Sequence, residues 1–348
     1  MIIDFHAHLV PDGFMEDLRA GRFAPSVTVE QGTGRPPSVV NIEEGENWEV
    51  MVAKGVGLDP SNETRNPLTR HALDVDTRLD HMENTGVDKQ ILSAITAMTF
   101  YTLDAGLNRE IAASLNDGLA DIANRMPGKF HCMAGVPLQD PPAAAAELER
   151  AVGLGHVGVK IGSNVAGTNL DDPGLDVFWD KAVSLDVPIF IHPGDIIGAK
   201  DRMKDYHLNN LLANPLDTTI AVACLIFGGV FDRFPDLKII LAHLGGFTPW
   251  IRGRLQQGHI ERDEPKARGS KAPENYIGNF YFDTVIHNAD CLEFAVKTLG
   301  AEKILYGTDC PWNIGNLGPA KDIPGLSRLS KEDQEKILVG NAKRLYKL

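Results

Sequence analysis

Short apolar runs rich in β-branched residues alternate along the chain with longer stretches of helical period. Runs at residues 2–8, 90–95, 130–137, 157–162, 187–192, 238–243, 280–285 and 303–308 predict eight strands. Helical patterns at 77–85, 104–125, 142–154, 175–185, 217–233, 289–299 and 331–345 predict helices between and after them. Strict alternation means parallel strands joined by βαβ units. Eight such units predict a closed (β/α)8 TIM barrel, an α/β fold, as a single domain over residues 1–348. The competing open, doubly wound sheet would carry G-x-G-x-x-G after its first strand, and none is present.

Two stretches stand outside the repeat. Residues 9–76 carry Gly32-Thr33-Gly34-Arg35-Pro36-Pro37 and Asp59-Pro60-Ser61-Asn62. They read as an insertion after the first strand, of the kind that forms a lid or binding loop. Residues 261–275 are charged and contain proline, as expected of a surface segment.

Composition narrows the class. With 348 residues, 43% hydrophobic and 23% charged, the chain can bury a large core. Its formal net charge of −13 argues against a nucleic-acid or anionic-membrane surface. No stretch approaches ~20 uninterrupted apolar residues, so no membrane span is expected, and no basic, cleavable leader is visible. Cys132, Cys224, Cys291 and Cys310 are scattered without a C-x-x-C pair, which favours reduced thiols and a cytoplasmic location.

The candidate chemistry lies at strand ends. In His6-Ala7-His8, side chains two apart share one face of a strand and can grip one ion. His192 ends the run 187–191, His243 ends 237–242, and Asp309 ends 304–308. These are the first, fifth, sixth and eighth predicted strands, and their C-terminal ends form the active face of a barrel. Imidazole and carboxylate suit Zn²⁺ or a similar borderline divalent ion. Three histidines, a carboxylate and a water would make an open catalytic site. If His243 is left off the metal, it becomes a natural proton shuttle.

The motifs Ile3-Asp4-Phe5-His6-Ala7-His8, Val136-Pro137-Leu138-Gln139-Asp140, Gly158-Val159-Lys160-Ile161-Gly162 and Ile191-His192-Pro193-Gly194-Asp195 stand in order along the chain. Gly228-Gly229-Val230-Phe231-Asp232-Arg233-Phe234-Pro235, Ala242-His243-Leu244-Gly245-Gly246 and Gly307-Thr308-Asp309-Cys310-Pro311 follow. With them the chain resembles the decarboxylase branch of the amidohydrolase superfamily. The resemblance implies one divalent metal, Zn²⁺ first and Mn²⁺ second, on His6, His8, His192 and Asp309, with His243 and Asp309 as catalytic groups. It implies a homodimer in which Arg254, in Trp250-Ile251-Arg252-Gly253-Arg254, reaches the neighbouring site and binds the substrate carboxylate. It also implies a second carboxylate-binding arginine in the insertion, for which Arg65 and Arg70 are the candidates. The chain departs from the family pattern at Gly194, where a tryptophan is usual, at Lys160, where a glutamine is usual, and at Cys310 and Trp312 after the final aspartate. These changes reshape the pocket.

The expected activity is metal-dependent, non-oxidative decarboxylation of an unsaturated or aromatic carboxylic acid, of carboxymuconate-semialdehyde or hydroxybenzoate type, with no organic cofactor. A metal-dependent hydrolase or hydratase of a related ring-cleavage product or lactone is the alternative. A non-catalytic, metal-binding barrel is a further one. Phe100, Tyr101 and Trp312 follow strand ends and are candidates for an apolar pocket wall, and His287 for a substrate contact. Asp283 ends the seventh strand and is a candidate to orient a metal ligand. Lys160 reads as a hydrogen-bonded barrel lysine rather than a carboxylated bridge, and a nucleophilic Cys310 would need an activating base.

Overall fold

The computed structural model describes residues 1–32, 48–55, 63–194, 196 and 202–348. Residues 33–37 of the Gly-Thr-Gly-Arg-Pro-Pro run, the segment Asp59-Pro60-Ser61-Asn62, and Asp195 lie outside the described residues. In chain order the strands are β1 (Ile3–His8), β2 (Val27–Gln31), β3 (Glu49–Lys54), β4 (Glu63–Leu68), β5 (Lys89–Ser93) and β6 (Phe130–Ala134). They continue with β7 (Gly158–Ile161), β8 (Asn164–Val165), β9 (Thr168–Asn169), β10 (Ile189–Ile191), β11 (Ile239–Leu241) and β12 (Phe280–Phe282).

Seven strands form one parallel sheet in the order β1-β5-β6-β7-β10-β11-β12. The predicted eighth strand is not a regular ladder. The segment from Ile304 to Cys310 instead bridges both edges through isolated pairs, Phe282 with Ile304 and Ala7 with Cys310. Leu305 N–H donates to Phe282 O at 2.8 Å, and Phe5 N–H donates to Tyr306 O at 3.1 Å. Asp309 N–H donates to His6 O at 2.8 Å, and His8 N–H to Cys310 O at 2.7 Å. These bonds close the sheet on itself, which satisfies edge groups that an open sheet would leave unpaired.

Packing follows the period of two. Phe5, Ile91, Met133, Phe190, Ile240 and Leu305 come from six different staves and form one fully buried cluster, with Tyr346 of the C-terminal helix against it. Residues on the other parity, such as Leu92, Val159 and Ile239, pack outward against the helices in the largest core. The helices begin where capping chemistry allows. Asp74 caps Val75–Thr85, Asp140 caps Pro141–Gly153, and Asn288 caps Ala289–Leu299. The run Asn209–Phe227 has the length and hydropathy of a membrane span. Its residues Ala221, Val222, Leu225 and Ile226 are nonetheless packed in the barrel core.

The largest departure from expectation lies in the insertion. In its described residues, helix Asp12–Arg19 leads into a three-stranded antiparallel sheet, β2-β3-β4. Val27, Met51, Ala53 and Leu68 pack with Ile95, Met98 and Phe100 in a separate cluster near the C-terminal end of β5. A helix at Thr248–Glu261, after β11, was also not expected from the sequence pattern. Its apolar residues follow no clear helical stripe.

Candidate metal centre and active site

The site is assembled at the C-terminal ends of β1, β10 and β11 and of the closing segment. The β1–β5 pairing slips between Asp4 and Ala7. Past this irregularity His6 stands on Phe190 of the barrel interior, ring centroids 4.8 Å apart. A bulge re-aims a side chain without breaking the sheet. His6 Nε2 and His8 Nε2 each lie 3.2 Å from Asp309 Oδ1, and His192 Nε2 lies 3.8 Å from it. His243 Nε2 faces the other carboxylate oxygen, 3.5 Å from Oδ2.

The second nitrogen of each ring has its own partner. His6 Nδ1 is 2.8 Å from Asp283 Oδ2, which makes Nδ1 the protonated donor. His8 Nδ1 is 3.0 Å from Ser93 Oγ and 3.3 Å from Ala94 O. His192 Nδ1 is 3.0 Å from Pro193 O and 3.2 Å from Thr96 Oγ1. A ring whose Nδ1–H is used this way presents an Nε2 lone pair. His6 Nε2, His8 Nε2, His192 Nε2 and Asp309 Oδ1 are all buried without a hydrogen-bond partner. Leaving four such atoms bare would cost several kcal/mol, and a cation among them could satisfy all four. The donor chemistry fits a divalent ion. Judged by mutual distance alone, His6, His192, His243 and Asp309 also offer atoms within 4.8 Å of one another. The two sets differ in whether His8 or His243 is counted. Oδ1 is the bare oxygen and faces His8, whereas His243 faces Oδ2.

Electrostatics support the same picture. Burial works against a charge on Asp309, yet His6, His192 and His243 hold it well below the usual carboxylate range. Burial disfavours a charged His6, but Asp309 and Asp283 outweigh it and push the ring up to about 9. Burial lowers His192 to about 4 and takes His8 well below its ordinary value, with Lys160 adding to the latter. Between two carboxylates the His6 position favours positive charge, which a cation at Nε2 would supply in place of the proton, and burial keeps the His8 and His192 rings neutral. Lys160 itself is buried, donates to Ala94 O, and is lowered by burial to about 7.

Backbone strain is concentrated here. His243, Leu244 and Asp309 have φ of 55°, 52° and 61°, a region that residues other than glycine seldom occupy. Asp283 holds the first two in place: its oxygens accept from the backbone N–H of His243 at 2.8 Å, Leu244 at 2.7 Å and Val285 at 3.0 Å. Asp283 thus bonds both the His6 ring and the backbone at His243. Asp4 pins the closing segment. It accepts from Thr308 N–H at 3.1 Å, Thr308 Oγ1 at 2.7 Å, Gln90 Nε2 at 2.8 Å and His6 N–H at 3.1 Å. Buried Arg78 donates to Gln90 Oε1 at 3.2 Å and to His8 O at 2.7 Å, which extends the network to helix Val75–Thr85. The roles of Asp4, Gln90, Arg78 and Thr308 were not anticipated, although Asp4 two residues before His6 is visible in the sequence.

Above the centre lies a cavity of about 460 Å³, lined by Thr96, Phe100, His192, His243, Asp309 and Trp312 among others. A second lobe of about 270 Å³ shares His243 and Asp309 and is walled by Leu211, Phe247, Trp250, Ile286 and His287. Phe100 and Trp312 thus line the main cavity, and His287 lines the smaller lobe. Tyr101 is buried beside Gly162, whose N–H donates to its hydroxyl at 3.2 Å, and it does not line the main cavity. Arg65 is not brought to the cavity. It points away on β4, exposed and paired with Glu30 and with Glu63 at 2.9 Å. Arg70 is also exposed, with Nε 2.6 Å from Thr77 Oγ1. The reason is the strand period: Thr64 and Asn66, on the opposite face from Arg65, line the cavity instead. Among the described residues no arginine or lysine lines it. Arg254 is exposed on helix Thr248–Glu261, outside both lobes of its own chain. Cys310 is buried, and burial raises its thiol to about 11, away from the thiolate a nucleophile needs.

Comparison with known proteins agrees with this geometry. The amidohydrolase family model matches residues 3–348. The 2-amino-3-carboxymuconate-6-semialdehyde decarboxylase of Dictyostelium discoideum is 36% identical over 77% of this chain and 75% of its own. The gamma-resorcylate decarboxylase of Rhizobium radiobacter is 32% identical over 81% and 90%. The dihydroxybenzoic acid decarboxylase of Polaromonas sp. JS666, solved with bound manganese and 2-nitroresorcinol, superposes with a TM-score of 0.77 at 26% identity, covering 100% of this chain and 97% of that one. By its barrel, its strand-end histidines and these matches, the chain belongs to the amidohydrolase family, beside the carboxymuconate-semialdehyde and resorcylate decarboxylases.

Proposed function

We propose that this protein is a metal-dependent, non-oxidative decarboxylase of an aromatic or unsaturated carboxylic acid. The observation that carries the reading is the convergence of three bare imidazole nitrogens on one bare carboxylate oxygen at the floor of a cavity. His6, His8, His192 and Asp309 would hold one divalent ion. Three nitrogens and an oxygen suit Zn²⁺, and the manganese of the Polaromonas relative makes Mn²⁺ the competing ion. When bound, the ion supplies Lewis-acid stabilisation for negative charge on a substrate oxygen.

The chain's own residues do the rest. His243 stands at the junction of the two lobes, its Nε2 against Asp309 Oδ2 and its backbone fixed by Asp283. Its Nδ1 has no partner, so the ring is positioned by backbone and not by a side-chain bond. It can hold a proton toward the cavity and deliver it to the carbon that bears the carboxylate. The C–C bond to the carboxylate then breaks, its electron pair returns to the conjugated system, and CO2 leaves. The net change is replacement of CO2 by a proton, with no oxidant or reductant. Phe100 and Trp312 flank the cavity as apolar walls for a planar ring.

The carboxylate needs a cation, and the described walls provide none. We assign that role to Arg254 of a second copy in a homodimer. Trp250, one turn earlier on the same helix, is half-exposed and lines the smaller lobe, which opens beside His243. The free state of all four cysteines is in keeping with a reducing cytoplasm. The test is to incubate metal-replete protein with hydroxybenzoates and carboxymuconate semialdehydes, measure released CO2, and analyse the bound metal alongside. CO2 from at least one acid is expected. Substrate loss with water incorporation and no CO2 would overturn the reading.

A further inference from the structure

Among the described residues, the wall that the insertion contributes to the cavity carries no charged side chain. Thr64 and Asn66 share one face of β4 and line the cavity, whereas Arg65 faces the other way and is neutralised by Glu30 and Glu63. Asn66 sits opposite Met51 in the β3–β4 ladder, so its backbone is fixed by strand pairing. Its Nδ2 is buried and has no hydrogen-bond partner among the described residues. A primary amide brings two N–H donors, and a bare donor at a cavity wall is either a penalty or a ligand contact.

We infer that Asn66 is a specificity-determining residue that donates to a neutral oxygen, a phenolic hydroxyl or carbonyl, on a substrate bearing a single carboxylate. The inference rests on the decarboxylase reading above and deepens it by naming the substrate class. A second carboxylate placed against this wall would meet Thr64 and Asn66 with no counter-charge among the described residues, in a site that already holds Asp309. Burying an unpaired carboxylate is far more costly than burying a hydroxyl that accepts one hydrogen bond. The wall thus selects hydroxylated monoacids over diacids by rejecting the second charge, and selects for the hydroxyl by leaving a buried donor bare when it is missing.

Three probes test this: a benzoate with hydroxyls on both sides of the carboxylate, the monohydroxybenzoate that lacks one of them, and a hydroxybenzene dicarboxylate. CO2 release and calorimetric binding are measured for metal-loaded wild type, Asn66→Ala and the near-isosteric Asn66→Asp. Melting temperature and metal content confirm that the variants fold and load. The wild type should favour the dihydroxy monoacid over the dicarboxylate by at least roughly tenfold in kcat/KM. Asn66→Ala should lose roughly tenfold on the dihydroxy acid, mainly in KM and binding, and little on the monohydroxy acid. Asn66→Asp should lose more. Equal losses on both monoacids, or a dicarboxylate used as well as the dihydroxy acid, would overturn the assignment. CO2 from none of the three would remove the decarboxylase reading for benzoates, while the binding differences would still decide the role of Asn66.

Discussion

Two walls face the same cavity and are built on opposite principles. The strand-end wall is crowded with ionisable groups, and each of the three rings facing Asp309 Oδ1 is fixed by a bond on its far nitrogen. Among the described residues, the insertion wall on β4 offers a hydroxyl and an amide and turns Arg65 outward. The first is expensive to desolvate and would be intolerable without a cation at its centre. The second is cheap to bury and easy to alter. On this reading the barrel carries the chemistry and the added sheet the substrate choice, a division that a barrel with variable βα connections allows.

If the contrast is right, damage to the first wall should abolish turnover and damage to the second should only redirect it. The largest effect is expected from Asp309→Asn, which removes the carboxylate that all four histidines face. CO2 release should fall on the order of 10²–10³-fold or more, with loss of metal measured in the same sample. Next is Asp283→Ala, which frees His6 Nδ1 and leaves three backbone N–H groups unpaired. Metal affinity, read by chelator competition, should drop about 10–100-fold. Thr308→Val should be milder. It removes one donor from buried Asp4 and should lower stability by about 1–3 kcal/mol in denaturant titration, with a smaller change in metal affinity. Unchanged stability would mean that Asp4 does not hold the closing seam.

The smallest effect concerns pH and lies behind the first wall. Burial, with Arg78 nearby, lowers His81 from 6.5 to about 4. The unfolded chain therefore binds more protons than the folded one between about pH 4 and 6.5. Stability from this group is complete above that window and declines as pH falls through it. Because the ring is partly exposed, the loss should be of the order of 1 kcal/mol. His81→Gln should flatten the stability slope between pH 6.5 and 4. An unchanged slope would show that the ring is not desolvated.

The strand-end wall was legible in the sequence because barrel staves are short, apolar and local, and because polar residues at their C-terminal ends have few other uses. The Asp283 role was half legible for the same reason. The insertion wall was not. Strands β2 (VTVEQ), β3 (EVMVAK) and β4 (ETRNPL) are short, charge-bearing and paired across long separations, and β4 contains Pro67. Nothing local distinguishes such strands from loop. Without the strand, its alternation was invisible, and Arg65 looked available where Asn66 stands. The closing segment was predicted as a full strand, but the bends that aim Asp309 inward leave it only isolated bridges.

The central claim is that one cation at the convergence of His6, His8, His192 and Asp309 makes the reaction possible. Stripping the protein with a chelator and titrating Zn²⁺ or Mn²⁺ back while following CO2 release tests it directly. Activity should vanish on stripping and return linearly to saturation at one equivalent per chain. Full CO2 release from the stripped protein would contradict the account.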